Sequence, residues 1–121
     1  MNERDALFLS HVLAAIDDIA AFTADGREAF LTDKKTQSAV IRQLEIIGEA
    51  VKRLSPQTTA AGPSVPWRAI AGARDRLIHG YFSVDLQAVW AMVESDLAPL
   101  RAEAARLLMD AQTPDGAEGK A

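Results

Sequence analysis

The sequence predicts an all-α fold, an up-and-down bundle of four or five helices. Apolar residues recur at helical spacing through most of the chain, no useful stretch alternates apolar with polar residues, and glycine or proline ends the periodic segments. The 121 residues suit one domain, and 49% hydrophobic with 25% charged residues is a globular composition. We expect a helical domain over residues 1–112 and a disordered tail over residues 113–121.

Two apolar stripes define the first half of the predicted bundle. The first predicts a helix over residues 3–24, with apolar positions Leu9, Val12, Leu13, Ile16 and Ile19. Asp25-Gly26 ends this helix, because glycine adopts a left-handed turn at low cost. A short turn over Arg27–Leu31 precedes a long second helix, whose stripe is Val40, Leu44, Ile47, Val51 and Leu54. Ser55-Pro56 stops the second helix.

Breaker residues divide the second half. Residues 57–66 are uncharged and rich in such residues, so we expect a loop. Pro66 suits the start of a third helix over residues 67–79, which Gly80 ends. Ser83 or Asp85 caps a fourth helix, whose stripe is Leu86, Val89, Trp90, Val93, Leu97, Leu100 and Ala104. Because Pro99 lies in this stripe, the helix either kinks there or restarts from Ser95 or Asp96.

The composition excludes several classes of protein. The chain has no cysteine, which excludes disulfides, zinc knuckles and thiol catalysis. No apolar run approaches the roughly 18 residues of a membrane span, and four of the first five residues are polar, unlike those of a secretory signal, so we expect a cytoplasmic protein without membrane contact. Motifs for zinc proteases, phosphate-binding loops, serine nucleophiles and carboxylate metal sites are absent from the sequence. We therefore expect no metal and no cofactor.

The charge of the chain is unevenly distributed. The net charge is −4, yet residues 26–56 carry six cations against four carboxylates. Residues 67–80 carry three arginines against one carboxylate, and they include one of the two histidines. A basic island of this kind holds phosphate locally, although long-range attraction of a polyanion stays weak.

Residues 74–81, Arg-Asp-Arg-Leu-Ile-His-Gly-Tyr, concentrate the groups that are suited to chemistry. Imidazole titrates near neutral pH, and guanidinium binds phosphate through two parallel hydrogen bonds, so both together suit a phosphodiester without a metal. On one straight helix, His79 lies about 140° around the axis from Arg74. Asp75 and Arg76 lie nearer to the face of His79. Asp75 is thus a candidate to orient the imidazole, and Arg76 competes with Arg74 on geometry.

A two-fold dimer would relax this geometry, because the arginine of one chain could complement the histidine of the other. It would also supply two imidazoles, one as acid and one as base. The alternative is a solvated face formed by Arg74, Asp75 and Arg76, with His79 favoured at a helix C-terminus and Tyr81 packed on the core.

The segment from Trp67 to Tyr81 resembles the HEPN superfamily, specifically its HepT-like branch. That branch is marked by an arginine, four to six residues and a histidine, with a polar residue directly after the arginine and a tyrosine two after the histidine. Flanking segments match as well: residues 43–50 (Gln-Leu-Glu-Ile-Ile-Gly-Glu-Ala) and residues 84–90 (Val-Asp-Leu-Gln-Ala-Val-Trp). The resemblance covers about residues 5–110.

The resemblance implies an all-α homodimer that acts as a metal-independent endoribonuclease, the toxin of a toxin–antitoxin pair. The implied partner is an MntA-type nucleotidyltransferase, which neutralises the toxin by adding AMP to the motif tyrosine. By residue, the resemblance makes Arg74 and His79 the catalytic pair, Asp75 the polar helper and Tyr81 the AMP acceptor. Asp75 stands where many members have asparagine, so its charge either repels RNA or holds Arg74 in place.

Two other functions stay open at this point. One is a non-catalytic subunit that binds nucleotide or docks a nucleotidyltransferase, and the other is a structural dimer that buries the arginines in ion pairs.

Single residues elsewhere carry further expectations. Glu49 either lines a cleft opposite Arg74 or is solvated, and His11 is a surface residue. Trp67 and Trp90 belong to the core. Gly48 and Gly72 lie inside helices, where close helix–helix approach is the reason for glycine.

Overall fold

Four helices of ten or more residues form the bundle in the computed structural model, which describes residues 1–77 and 84–112. They are α1 (Glu3–Phe22), α3 (Lys34–Lys52), α7 (Leu86–Ser95) and α8 (Leu97–Gln112). Four shorter helices connect them: α2 (Arg27–Thr32), α4 (Pro56–Ala60), α5 (Trp67–Ala71) and α6 (Ala73–Leu77). No residue within the described ranges lies in a β-strand, so the predicted all-α bundle is confirmed.

Helix α1 lies between α3 and α8 and runs antiparallel to both. Near its N-terminus, Asp5 accepts hydrogen bonds from Ser55, which follows the C-terminal end of α3. Near its C-terminus, Asp17 accepts two hydrogen bonds from Arg101 in the first half of α8, at 2.7 and 3.1 Å. None of the helices in the described part of the chain is long and apolar enough to cross a membrane.

The predicted apolar stripes form the core. All five stripe residues of the second predicted helix are buried, which are Val40, Leu44, Ile47, Val51 and Leu54. The stripe of α1 is buried except for the half-buried Leu13. In α7 and α8, the buried members are Val89, Leu97, Leu100 and Ala104. Trp67 is buried, as predicted, whereas Trp90 is half-buried and packs its ring 5.4 Å from that of Phe30.

A buried carboxylate ties α1 to α4. Asp5 is 1% exposed, and its oxygens accept hydrogen bonds from the Ser55 amide and hydroxyl and from the Thr58 hydroxyl. Burial raises the pKa of Asp5, but the hydrogen bonds from Ser55 and Thr58 outweigh it, so the pKa lies below its ordinary value. The first turn of α4 is thus fixed to the start of α1.

Three predicted segments are wrong in the connections. The third helix does not run over 67–79: α5 ends at Ala71, and Gly72 forms a turn before α6. Residues 57–66 are not all loop, because residues 57–60 belong to α4. This helix begins at Pro56, a position where the missing N–H of proline costs no hydrogen bond. The expected turn over Arg27–Leu31 is the helix α2.

The predictions for Gly26 and Asp85 agree more closely with the structure. Gly26 has a positive φ of 93°, as expected where the chain turns between α1 and α2, although α1 already ends at Phe22. Asp85 caps α7 by accepting a hydrogen bond from the Ala88 amide at 3.0 Å. The alternative cap Ser83, the stop at Gly80 and the tail over 113–121 lie outside the described residues.

The predicted fourth helix is not kinked at Pro99, because a new helix begins just before this residue. Helix α7 ends at Ser95 and α8 begins at Leu97, so Pro99 lies in the first turn of α8. Amides of a first turn have no intrahelical acceptor, so proline costs no hydrogen bond there.

Candidate functional site

The predicted catalytic segment begins on α6. Arg74, Asp75 and Arg76 all belong to this helix, and the Asp75 side chain is exposed. The side chains of Arg74 and Arg76 lie outside the described part of the structure, as do all atoms of His79 and Tyr81. The catalytic pair and the modified tyrosine therefore stay predictions.

Helix α6 presents one face to the core. Ala73 and Leu77, four residues apart, are buried, whereas Asp75 between them is exposed. The Asp85 amide donates a hydrogen bond to the Leu77 carbonyl at 2.9 Å. The last residue of α6 and the N-terminal cap of α7 are therefore directly hydrogen-bonded to each other. His79 and Tyr81 belong to the residues between Leu77 and Val84, which lie outside the described ranges.

Helix α3 positions α5, which leads directly into α6. A Cβ placed on the buried Gly48 would lie 3.4 Å from the Ala71 carbonyl oxygen and 3.6 Å from that of Ile70. The close approach predicted for Gly48 is confirmed. The same prediction is wrong for Gly72, which lies in the turn between α5 and α6 and donates its N–H to the Arg68 carbonyl.

Helix α8 holds the start of α5 through the loop before it. The Trp67 indole N–H donates to the Gly62 carbonyl at 2.8 Å. Arg106 donates to the Ala61 carbonyl at 2.7 Å and to Glu103 at the same distance. The hydrogen bond from Arg106 holds the pKa of Glu103 below its ordinary value. Since these contacts fix both ends of α5, the position of α6 follows from α3 and α8 together.

Glu49 lies on the side of α3 that faces α1, whereas the adjacent Gly48 approaches α5. Its carboxylate is exposed and pairs with Arg53 at 3.0 Å. It lines a groove of about 380 Å³ between α1 and α3, which we call the α1–α3 groove and whose lining residues are Phe8, His11, Arg42, Glu45, Ile46, Glu49, Ala50 and Arg53. No described side chain of α6 lines this groove. Whether Glu49 also faces the Arg74 side chain stays a prediction.

His11 is exposed, as predicted, but it is not isolated. Its ring contacts that of Phe8 edge to face, with 6.0 Å between centroids and an angle of 77°. Sequence reasoning missed this groove because its two walls lie more than thirty residues apart. Two features of the sequence indicate its walls: Phe8 and His11 lie three residues apart on α1, and Glu45 and Glu49 lie four residues apart on α3, so each pair shares one side of its helix.

Comparison with known proteins places these elements in a described family. A family model described as "Ribonuclease HepT-like" matches residues 12–107. "Probable ribonuclease HepT" of Thermococcus cleftensis is 45% identical over 101 residues, which cover 83% of this chain and 92% of that protein. "Putative RNase MJ0125" of Methanocaldococcus jannaschii is 39% identical over 112 residues, which cover 91% and 97%. No solved structure matches the chain at a significant level.

Proposed function

The chain belongs to the ribonuclease HepT-like family, and from this premise we propose that it is a metal-independent endoribonuclease whose catalytic pair is Arg74 and His79. Family membership confirms the predicted resemblance and the predicted enzyme class, a ribonuclease. The finer proposal rests on one observation. Arg74, Asp75, His79 and Tyr81 follow in the order typical of the family, inside the matched residues 12–107.

The proposed reaction uses the nucleophile that RNA itself supplies. His79 removes the proton from a ribose 2′-OH, and the 2′-oxygen attacks the adjacent phosphorus. Arg74 stabilises the negative charge that develops on the phosphoryl oxygens. The 5′-oxygen leaves with a proton, and the products are a 2′,3′-cyclic phosphate and a free 5′-hydroxyl. DNA, which has no 2′-OH, is not cleaved.

A homodimer supplies the second proton-transfer group in this proposal. One chain carries a single histidine in the motif, which serves as the base. The partner subunit's His79, or a water molecule, then protonates the leaving oxygen. Asp75 and Arg76 support the site, with the exposed Asp75 carboxylate as the group that orients either the imidazole or Arg74.

The proposed biological role is that of a toxin whose antitoxin is an MntA-type nucleotidyltransferase. The phenol oxygen of Tyr81 attacks the α-phosphorus of ATP, AMP is joined to the tyrosine, and pyrophosphate leaves. Tyr81 lies two residues after His79, so the added phosphate places negative charge and bulk beside the position of the substrate phosphate. Modification therefore stops cleavage.

RNA cleavage in EDTA tests the proposed reaction. We expect the purified protein to cut total RNA with EDTA present and to leave the matching DNA intact. The variants His79→Ala and Arg74→Ala lose cleavage, whereas Arg27→Ala, which removes an exposed arginine on α2, retains it. RNA left intact by the wild-type protein, or cut equally by His79→Ala, contradicts the proposal.

Intact-mass analysis tests the proposed modification. After co-expression with the neighbouring nucleotidyltransferase, we expect the protein to gain whole AMP units, and Tyr81→Phe to gain none. The alternative function, a non-catalytic docking subunit, predicts a tight complex with the nucleotidyltransferase, no RNA cleavage and tolerance of His79→Ala.

A further inference from the structure

We propose that the α1–α3 groove binds one base of single-stranded RNA and selects a base that presents amino donors. This inference rests on the proposed ribonuclease function, because it assigns a second contact to the same substrate. The groove is lined by no described side chain of α6, so the contact is additional to the catalytic segment.

Two aromatic rings on α1 provide the stacking surface. The Phe8 ring is half-buried and lines the groove, and the Arg4 guanidinium, which is not among the lining residues, lies over this ring with its carbon 5.7 Å from the centroid. The exposed His11 ring contacts Phe8 edge to face and extends this surface toward solvent. Unpaired bases stack on such rings and on guanidinium planes, and this stacking tolerates any base. Stacking therefore holds a base without choosing it.

Two carboxylates on α3 provide the selection. Glu45 and Glu49 lie four residues apart, on one side of the helix, and both line the groove. An ionised carboxylate only accepts hydrogen bonds, so it pairs with the amino groups of cytosine, adenine and guanine. Uracil has no amino group and offers only its single N3–H donor, whereas an amino group offers two N–H bonds, one for each carboxylate. The groove is thus expected to disfavour uracil.

Two arginines keep the groove from repelling RNA. Arg42 lies 3.8 Å from Glu45, and Arg53 lies 3.0 Å from Glu49, so each carboxylate has a cation beside it. Both guanidiniums are at least half exposed, which leaves donors for phosphate oxygens. Residues 42 and 53 are about 16 Å apart along the helix axis, so the two cations flank the carboxylates at opposite ends.

The dimensions and surrounding charge favour a nucleotide over a protein segment. A volume of about 380 Å³ falls in the range of small-ligand sites. The apolar floor consists of only Phe8, Ile46 and Ala50, which is too little for the apolar face of a docked helix. Helix α3 carries four cations against two carboxylates, whereas α1 carries one cation against four carboxylates, so a polyanion approaches the groove more readily from the α3 side.

Homopolymer binding tests the groove without requiring cleavage. Fluorescence anisotropy of the His79→Ala protein with oligo(C), oligo(A) and oligo(U) of equal length is expected to show about tenfold weaker binding of oligo(U). Glu49→Ala removes this preference, and Arg42→Gln weakens all three complexes. The matched controls are Glu28→Ala and Arg27→Gln on α2, which remove the same charges from exposed positions away from the groove.

Three outcomes overturn the inference. They are equal binding of the three oligonucleotides, a preference that survives Glu49→Ala, and an effect of Arg42→Gln on self-association or protein binding alone. Each of these leaves the proposed ribonuclease intact if the wild-type protein still cuts RNA. Conversely, a clear base preference with no cleavage by the wild-type protein contradicts the proposed function and supports the groove.

Discussion

The substitution Asp5→Asn probes the contact that joins α1 to α4. The side chain keeps its shape but loses its charge, and it sits in a site that is 1% exposed. Three donors point at the carboxylate: the Ser55 amide at 3.2 Å, the Ser55 hydroxyl and the Thr58 hydroxyl. The asparagine oxygen still accepts from some of these donors, and the hydroxyls can rotate to accept from its amide.

The expected loss of stability follows from the change in bond type. A hydrogen bond to a charged group contributes about 1 kcal/mol more than a neutral one. With three donors, Asp5→Asn should lower the free energy of unfolding by about 3 kcal/mol at pH 7. For a chain of this size, that corresponds to a decrease in Tm of roughly 10–15 °C.

The pH dependence of stability has a definite sign. The pKa of Asp5 in the folded protein is below its ordinary value, so in the unfolded state the group takes up a proton at higher pH. Its stabilising contribution is therefore complete above the ordinary aspartate pKa of about 3.9 and is lost as pH falls through the lower folded value. The stability of Asp5→Asn should begin to approach that of the wild-type protein below about pH 4, and the charge-dependent difference should vanish only below the folded pKa.

Urea unfolding followed by circular dichroism, at pH 7 and again near pH 3, measures both effects. The matched control is Asp18→Asn, an exposed aspartate on the same helix, for which the change should stay within about 0.5 kcal/mol. If Asp5→Asn is as stable as the control at pH 7, the buried carboxylate does not hold α4. If the stability difference persists unchanged at pH 3, the charge is not its source.

Two glycines separate the cost of backbone strain from that of crowding. Gly26→Ala should lower the free energy of unfolding by about 1–3 kcal/mol, because φ is 93° and no atom lies within 4 Å of the new methyl group. Gly62→Ala should cost about 1–3 kcal/mol for the opposite reason, since its Cβ would lie 3.0 Å from both Glu103 and Trp67. Denaturant titrations check both values. Gly26→Asn should recover none of the first loss, because asparagine tolerates the left-handed helical region but not a positive φ combined with the ψ of −174° found here.

Periodicity predicted the core well because burial follows local spacing. Every residue of the stripe from Val40 to Leu54 is buried, which a repeat of 3.6 residues is sufficient to predict. The ends of the helices were predicted less accurately. Gly72 costs only about 1 kcal/mol inside a helix, so the sequence alone did not distinguish a tolerated glycine from the break observed here.

The surroundings of the functional residues were less predictable, because they depend on pairing between distant segments. Asp5 meets Ser55 across fifty residues, and nothing in the local sequence around either one indicates the other. His11 was correctly predicted to be exposed, yet its place in a groove required the antiparallel packing of α1 on α3. The motif from Arg74 to Tyr81 was found from sequence because its members are neighbours in the chain.

Adjacent residues of α3 separate the proposed catalytic segment from the proposed base site. Successive helical residues differ by about 100° in direction, so Gly48 contacts α5 whereas Glu49 lines the α1–α3 groove. In Gly48→Ala, the new Cβ lies 3.4 Å from the Ala71 carbonyl oxygen, which is ordinary van der Waals contact. The γ-carbons of Gly48→Val extend beyond that position toward α5, so α5 and the α6 that follows it must shift slightly.

Because the wall formed by Glu49 is unchanged in Gly48→Val, the preference against oligo(U) should persist while kcat for RNA cleavage falls about tenfold, a loss that small misplacements of catalytic groups readily cause. The expected pattern is a lower kcat with an unchanged KM, measured beside the melting temperature to exclude unfolding. A loss of base preference together with an unchanged kcat would contradict this reasoning, because it would mean that a change at Gly48 affects the α1–α3 groove and not the catalytic segment.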